Sequence, residues 1–415
     1  MEQTRNLDCS PERLSPPRGQ YFFGYYDVAA WSDDERFHLC HKVDFCDRLP
    51  GPEDVAVLGT IRVSDGEFTP FAETTAWNFQ QGSLLQWMPN SAGREVIFNR
   101  RSGGTFVGVI RNLETGSERV LERAVAAVSP DGRRALSINF ARLFDFRPGY
   151  GYAGVPDPFA SHLHPADDGV FVTDLSDGSS RLIVSFADVH RMFPEQTQGK
   201  LLLINHVTFN TQGNRFLFLV RNNPGGRGGG WSTLMLTADL NGENVWRLHD
   251  WGMVSHYHWR DRDRVICYCS PGGAHGLYVL TDRTRETELV DGDFFRADGH
   301  CSYSPDRRRL LYDSYPSEEG YRSLYVYDLE SRRGRLLGEF RSPSPAIIDI
   351  RADLHPRWSP SGRRISFDSI HEGFRGLYVV DAPPGSHRAG RQPGVIYPFY
   401  SRRSGKIGRG PPKGP

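Results

Sequence analysis

The sequence predicts an all-β fold, a seven-bladed β-propeller with four-stranded antiparallel blades. Three observations carry this. The first is a phrase repeated along the second half of the chain: a histidine, an aromatic three residues on, a tight polar turn and an apolar strand. It reads His206-Val207-Thr208-Phe209, His256-Tyr257-His258-Trp259, His300-Cys301-Ser302-Tyr303 and His355-Pro356-Arg357-Trp358. The turns follow at Thr211-Gln212-Gly213, Asp261-Arg262-Asp263, Pro305-Asp306-Arg307 and Pro360-Ser361-Gly362. The second is the unit itself. After Cys301–Tyr303 come Leu310–Asp313, Leu324–Asp328 and Gly334–Leu337, and four short strands roughly every 40–60 residues mark a propeller blade. The third is composition: aromatics at 12% and 44 glycines in 415 residues suit a turn-rich β protein.

Taken in order, the first inner strand is expected at Val28–Asp34, the second at Leu84–Pro89 and the third at Val125–Gly132. The four histidine-led strands complete seven. At the histidine register the first three blades carry Val28, Leu84 and Val125, so the imidazoles occupy one side of the ring. Arg142 to Asp168 is a long Gly- and Pro-rich excursion within blade three, and Phe186–Phe193 predicts a short helix between blades three and four. The last blade ends at Asp381. Its fourth strand must come from Val395-Ile396-Tyr397 or from Tyr21-Phe22-Phe23, and the N-terminal choice is favoured because closing the ring with a terminal strand removes two exposed edges. The expected layout is an extension over 1–20, the propeller over 21–400 and a disordered basic tail over 401–415.

Charge excludes some functions. Lys plus Arg and Asp plus Glu are 50 each, so nothing argues for bulk nucleic-acid or membrane affinity. No apolar run has membrane-spanning length, and the N-terminus lacks a signal-peptide core. The six cysteines form no CxxC pair and read as reduced thiols. A soluble, cytoplasmic monomer is expected.

In a propeller the innermost strand of each blade begins at the mouth of the axial channel, so residues there can converge. His256, His300 and His355 are the candidate ligands for a divalent metal, manganese or zinc, with Asp353 beside them. Loops between second and third strands open on the same face and would add Arg100, Arg142, Arg221, Asp313, Tyr315 and Asp368. Each of these side chains has an ordinary alternative: a histidine can lock a blade by bonding a carbonyl, and a loop arginine can simply be solvated.

The histidine-led strands and Leu354-His355-Pro356 resemble oligogalacturonate lyases, seven-bladed propellers that cleave uronate oligosaccharides by β-elimination. Ulvan lyase propellers are a more distant likeness. The resemblance runs from about Asn205 to Asp381 and more loosely over the whole chain. It implies His206 as the base and His256 and His355 as metal ligands. The family's Gln-x-x-His-x-His string reads Ile350-Arg351-Ala352-Asp353-Leu354-His355 here, so the glutamine and first histidine are replaced. With Phe23-Gly24-Tyr25-Tyr26-Asp27, Trp77–Gly82 and Arg147-Pro148-Gly149-Tyr150-Gly151-Tyr152 the chain also resembles other bacterial propellers.

The expected reaction is therefore metal-assisted elimination on a uronate-containing oligosaccharide. His206 would be the base, the metal or Arg142 and Arg221 would neutralise the carboxylate, and Tyr150 or Tyr152 would be the acid. Trp77, Trp231 and Tyr315 would stack on sugar rings, and Arg100 would help bind substrate. Two other readings stay open: a non-catalytic, TolB-like propeller that binds a glycan or protein at the same mouth, and a hydrolase using paired carboxylates among Asp313, Asp353 and Asp368.

Overall fold

Alternating apolar residues along short strands, each ended by a Gly- or Asp-bearing turn, leave every blade with two greasy faces that only neighbouring blades can cover. The structure, a computed structural model, describes residues 2–223 and 232–384. Trp231, the 395–397 segment and the 401–415 tail lie outside them.

Seven antiparallel sheets form the ring. Blade one is Gln20–Phe22, Phe37–Val43, Ala56–Arg62 and Phe68–Thr74; blade two is Gln86–Trp87, Glu95–Ser102, Thr105–Asn112 and Glu118–Val120. Blade three is Ala127–Val128, Arg134–Ser137, Gly169–Asp174 and Ser180–Ser185, with the helix Phe140–Phe146 in its long excursion. Blade four is Leu201–Phe209, Arg215–Asn223, Ser232–Asp239 and Trp246–Gly252; blade five is Val254–Trp259, Arg264–Cys269, Gly276–Thr281 and Thr287–Leu289. Blade six is Cys301–Tyr303, Arg309–Asp313, Tyr321–Asp328 and Arg333–Arg341. Blade seven has Arg357–Trp358, Arg364–Ser369 and Gly376–Asp381. The helix expected after blade three is Phe186–Met192, begun by a Ser185 capping box with Asp188. Between blades the cores are apolar: Leu311, Leu324 and Phe340 of blade six pack with Ile365, Phe367 and Tyr378 of blade seven.

Closure differs from the expectation. The N-terminus does supply the last strand, but it is Glu12–Arg13, paired to Tyr378 and Val379. Tyr21 and Phe22 instead belong to the inner strand of blade one, paired to His41 and Lys42. Thr4–Arg5 adds a fifth strand to blade six against Glu339 and Phe340, fixed by Arg5 Nε to Glu339 Oε2 at 2.9 Å. Two short stretches of the expected N-terminal extension, Thr4–Arg5 and Glu12–Arg13, thus pair into the ring. Two blade edges are covered as a result.

Two local devices aim side chains at the axis. The inner strands of blades four and five are bulged: pairing shifts between Asn205 and Thr208 and between Val254 and Tyr257. His206 has φ +50° and His355 φ +41°, while Leu84 in blade two has φ +53°. A bulge of this kind turns a side chain out of its regular alternation. The second device is Gly24, at φ +123°, where a Cβ would come within 2.8 Å of the Gln81 carbonyl carbon. Only glycine fits so close an approach. Past it, Tyr25 and Tyr26 enter the channel and are buried there.

Candidate active site

The four register histidines do converge. His256 and His300 have ring centroids 3.9 Å apart, and His300 and His355 are 4.3 Å apart. Tyr25 lies among them, stacked on His206 at 5.1 Å with planes 12° apart, and 5.0 Å from His355. Its hydroxyl is 3.5 Å from His206 Nε2. Tyr26 sits 5.1 Å from His300, and its hydroxyl donates to the Tyr257 carbonyl at 2.7 Å. Tyr257 in turn donates to the His206 carbonyl at 2.5 Å, pinning the bulge.

Aspartates orient the rings. Asp313 accepts from the His300 backbone N–H at 2.7 Å and stands 2.9 and 3.0 Å from its Nδ1. It also accepts from the His355 backbone N–H at 3.2 Å. Asp298 is 3.1 Å from His256 Nδ1 and accepts from Ser255 Oγ at 2.6 Å. Asp353 lies between two guanidiniums, 2.6 Å from Arg322 Nη1 and 2.7 Å from Arg351 Nε. Burial alone would raise its pKa, but these two cations hold its carboxyl far below the usual range. Arg351 Nη2 also donates to the Tyr150 hydroxyl at 2.9 Å.

A cavity of ≈ 490 Å³ opens over this cluster, lined by His206, Arg221, Arg147, Tyr150, His256 and Tyr315 among others. Burial, then the Arg221 and Arg147 charges, hold His206 well below its ordinary value, so its ring is neutral near pH 7. Burial and the Arg147 charge bring Arg221 down to about 9. A neutral imidazole and two guanidiniums therefore share one wall. Tyr315 stands at the rim, 37% exposed and 6.1 Å from His256.

Other expected residues lie elsewhere. Arg142 is fully buried, and its five N–H groups go to Asp157 and to the carbonyls of Leu202, Phe159, His162 and Leu163. It clamps the blade-three excursion and has nothing left for a substrate carboxylate. We expect Arg142→Met to lower stability by about 3–5 kcal/mol in a urea melt, since it leaves Asp157 buried without its cation. Trp77 is buried against Phe22 and Phe79 with Nε1 donating to the Asp54 carbonyl at 2.8 Å, so it packs and does not stack on sugar. Arg100 Nη1 pairs with Glu118 of the outermost strand at 2.8 Å, away from the mouth. Tyr152 stacks on Phe140 at 4.5 Å and accepts from Asn99 Nδ2, which removes it as an acid. Reading the residues alone did not give Asp298, Arg322, Arg147 and the Tyr25–Tyr26 insertion their roles; only the Phe23–Asp27 and Arg147–Tyr152 motifs flagged two of them.

The metal expectation can be tested on donor chemistry. With Nδ1–H of His300 directed at Asp313, its Nε2 lone pair faces His355 Nε2 at 3.1 Å. Two lone pairs do not face each other at that distance, so a proton or a cation lies between them. Two imidazoles on one first-row metal, with bonds near 2.0–2.1 Å, place their nitrogens about 3 to 3.4 Å apart, so the pair fits. Asp353 completes a group whose ligand atoms lie within 4.8 Å of one another. His256 falls outside that group and faces the cavity instead.

No family model matches the chain. A stretch of 155 residues, 35% of the chain, is 28% identical to the acylamino-acid-releasing enzyme of Mus musculus, of which it spans only 21%. The fold is a seven-bladed propeller with a histidine-lined mouth, and it is similar to solved structures of oligogalacturonate lyases. The solved structure of oligogalacturonate lyase from Vibrio parahaemolyticus aligns with TM-score 0.64 over 92% of this chain and 95% of that one, at 13% identity. A structure of oligogalacturonate lyase in complex with manganese aligns with TM-score 0.61 over the same shares, at 14% identity. At such identities the likeness is one of fold. No helix among the described residues is long and apolar enough to cross a membrane.

Proposed function

We propose that the chain is a lyase that cleaves a uronate-containing oligosaccharide by β-elimination in the mouth cavity. The observation that carries this reading is that His206, Tyr150, Arg221 and Arg147 line one space. Arg221 and Arg147 hold the sugar carboxylate, which makes the neighbouring C–H acidic by stabilising charge that develops on the carboxylate. His206, kept neutral, takes that proton at Nε2. The electron pair forms the ring double bond, the glycosidic C–O bond breaks, and the Tyr150 hydroxyl gives its proton to the leaving oxygen. Arg351, anchored by Asp353, positions Tyr150 through its 2.9 Å bond. Tyr25 fixes the His206 ring by stacking.

His300 and His355, with Asp353, would hold a divalent metal, manganese or zinc. Bound there, such an ion would supply Lewis-acid chemistry. Because both Asp353 oxygens already face guanidiniums, we expect the two nitrogens to carry most of the affinity. Chelation followed by dialysis should then reduce activity, and added manganese or zinc should restore it.

The test is ultraviolet absorbance of the unsaturated uronate formed when the protein meets pectic, ulvan or glucuronan fragments. Growth of that band supports the reading. Binding of the fragments with no band on any of them, metal present, would make the propeller a non-catalytic glycan binder at the same mouth.

A further inference from the structure

A second cavity of ≈ 520 Å³ lies between blades six, seven and one. Its walls come from the segment joining blades six and seven and from the loop between the second and third strands of blade seven. By antiparallel topology both sit at the end of the ring where the inner strands begin. Arg341, Arg351, Arg375, His371 and Glu372 line it. Arg351 also reaches the first cavity through Tyr150.

One cation on this wall, Arg375, touches no carboxylate; Asp368 and Asp353 act on it only from a distance. Asp353 sits between Arg322 and Arg351. Asp368 is taken by Arg357, with contacts of 3.1 and 3.3 Å. Glu372 is held by Arg13 and accepts from the Tyr378 hydroxyl at 2.8 Å. Arg375 is left over. It is buried, donates Nη2 to the Ile350 and Arg351 carbonyls, and lies 4.2 Å over the Phe79 ring. Its Nε is buried with no hydrogen-bond partner. Among the described residues no carboxylate comes within ion-pair distance of it. A buried cation without a counter-ion is costly, and the cost falls when an anion enters the adjoining space. His371 does not oppose this. Its Nδ1 is 2.8 Å from Ser369 Oγ, and burial beside the Arg13 charge keeps it neutral.

We propose that this second cavity is a carboxylate-binding site, with Arg375 in its floor and Arg341 at its edge, and that its ligand is a uronic acid. The site follows from a buried guanidinium with no direct ion pair at the cavity floor; the choice of a uronate rests on the reading of the first cavity.

Calorimetric titration of the full-length protein with sodium glucuronate tests it, with glucose as the neutral control. We expect uptake of glucuronate and not glucose, weakened about tenfold or more by Arg375→Met and by Arg341→Ser, the scale of one lost charge-assisted contact. Arg341 is only half-buried, so the second variant answers the question should Arg375→Met fail to fold. Arg221→Met, in the first cavity, should leave this binding in place. If the unmodified protein shows no elimination activity on any fragment, yet a glucuronate site survives Arg221→Met, the second cavity stands while the lyase reading falls. Uptake erased by Arg221→Met and unmoved by both other variants, or no uptake, overturns the proposal. The source of the carboxylate is read from KM against chain length. If Arg341→Ser raises KM for longer chains alone, the ligand is a distal unit of the bound chain; if KM is unmoved for all lengths, it is a free uronate.

Discussion

Replacing His206 with asparagine is expected to lower kcat on a uronate oligosaccharide by about 10²–10⁴-fold, the usual worth of a positioned base. Asparagine is the informative choice because residue 206 has φ +50°, a conformation asparagine tolerates better than most residues. The bulge should persist, since its main anchor is the Tyr257 hydroxyl on the His206 carbonyl, not on the side chain. Thermal unfolding should therefore move little. The pH profile supplies the sign. Burial and the neighbouring guanidiniums depress the folded pKa below the ordinary 6.5, so the base is already competent at pH 6.5. Activity should fall only at more acidic pH, as the ring takes a proton. Stability is linked the same way. Between the folded pKa and 6.5 the unfolded chain binds the proton and the folded one does not, so stability rises with pH across that window. This contribution is complete above 6.5 and is lost as pH falls through the folded value. His355, likewise depressed, first by burial and then by the His300 charge, adds to the same trend. A kcat for His206→Asn within a few-fold of wild type would remove His206 from the mechanism.

Asp313→Ala is expected to damage both stability and metal binding from behind the cavity wall. One fully buried carboxylate bonds the His300 backbone N–H and ring nitrogen and the His355 backbone N–H. It thereby ties blade six to the start of blade seven. Alanine leaves two buried backbone N–H groups and the His300 ring N–H without this acceptor, each worth about 1–3 kcal/mol, so a loss of about 3 kcal/mol or more is expected in urea unfolding. The same change frees the His300 ring. Groups that orient a metal-ligating histidine usually contribute about 10–100-fold in metal affinity. Calorimetric titration with manganese or zinc should show that drop. Stability and metal affinity both at wild-type levels would mean that the His300–His355 pair needs no such anchor.

The ring was legible because its signals are local and repeated. A tight polar turn follows each of the four histidine-led inner strands, as Ser-Pro-Asp after Tyr303 and Pro-Ser-Gly after Trp358, and strand periodicity holds within each blade. The histidine register was legible for the same reason. The fate of individual side chains was not, because their partners lie far along the chain. Arg142 is satisfied by carbonyls from Phe159 to Leu202. Trp77 donates to Asp54, and the Asp298 that orients His256 is 42 residues away. Bulges are also silent in a single sequence: nothing in Asn205-His206-Val207 announces a positive φ. The Tyr25–Tyr26 insertion was visible only as a motif, since its role depends on Gly24 passing close to Gln81.

The account rests on His206 acting as a base toward a uronate and not toward water. Digesting the cleaved oligosaccharide in heavy-oxygen water and weighing the fragments decides this. Elimination predicts fragments that carry no solvent oxygen and one end lacking the elements of water. Incorporation of one heavy oxygen per cleavage would show hydrolysis and contradict the mechanism proposed for this cavity.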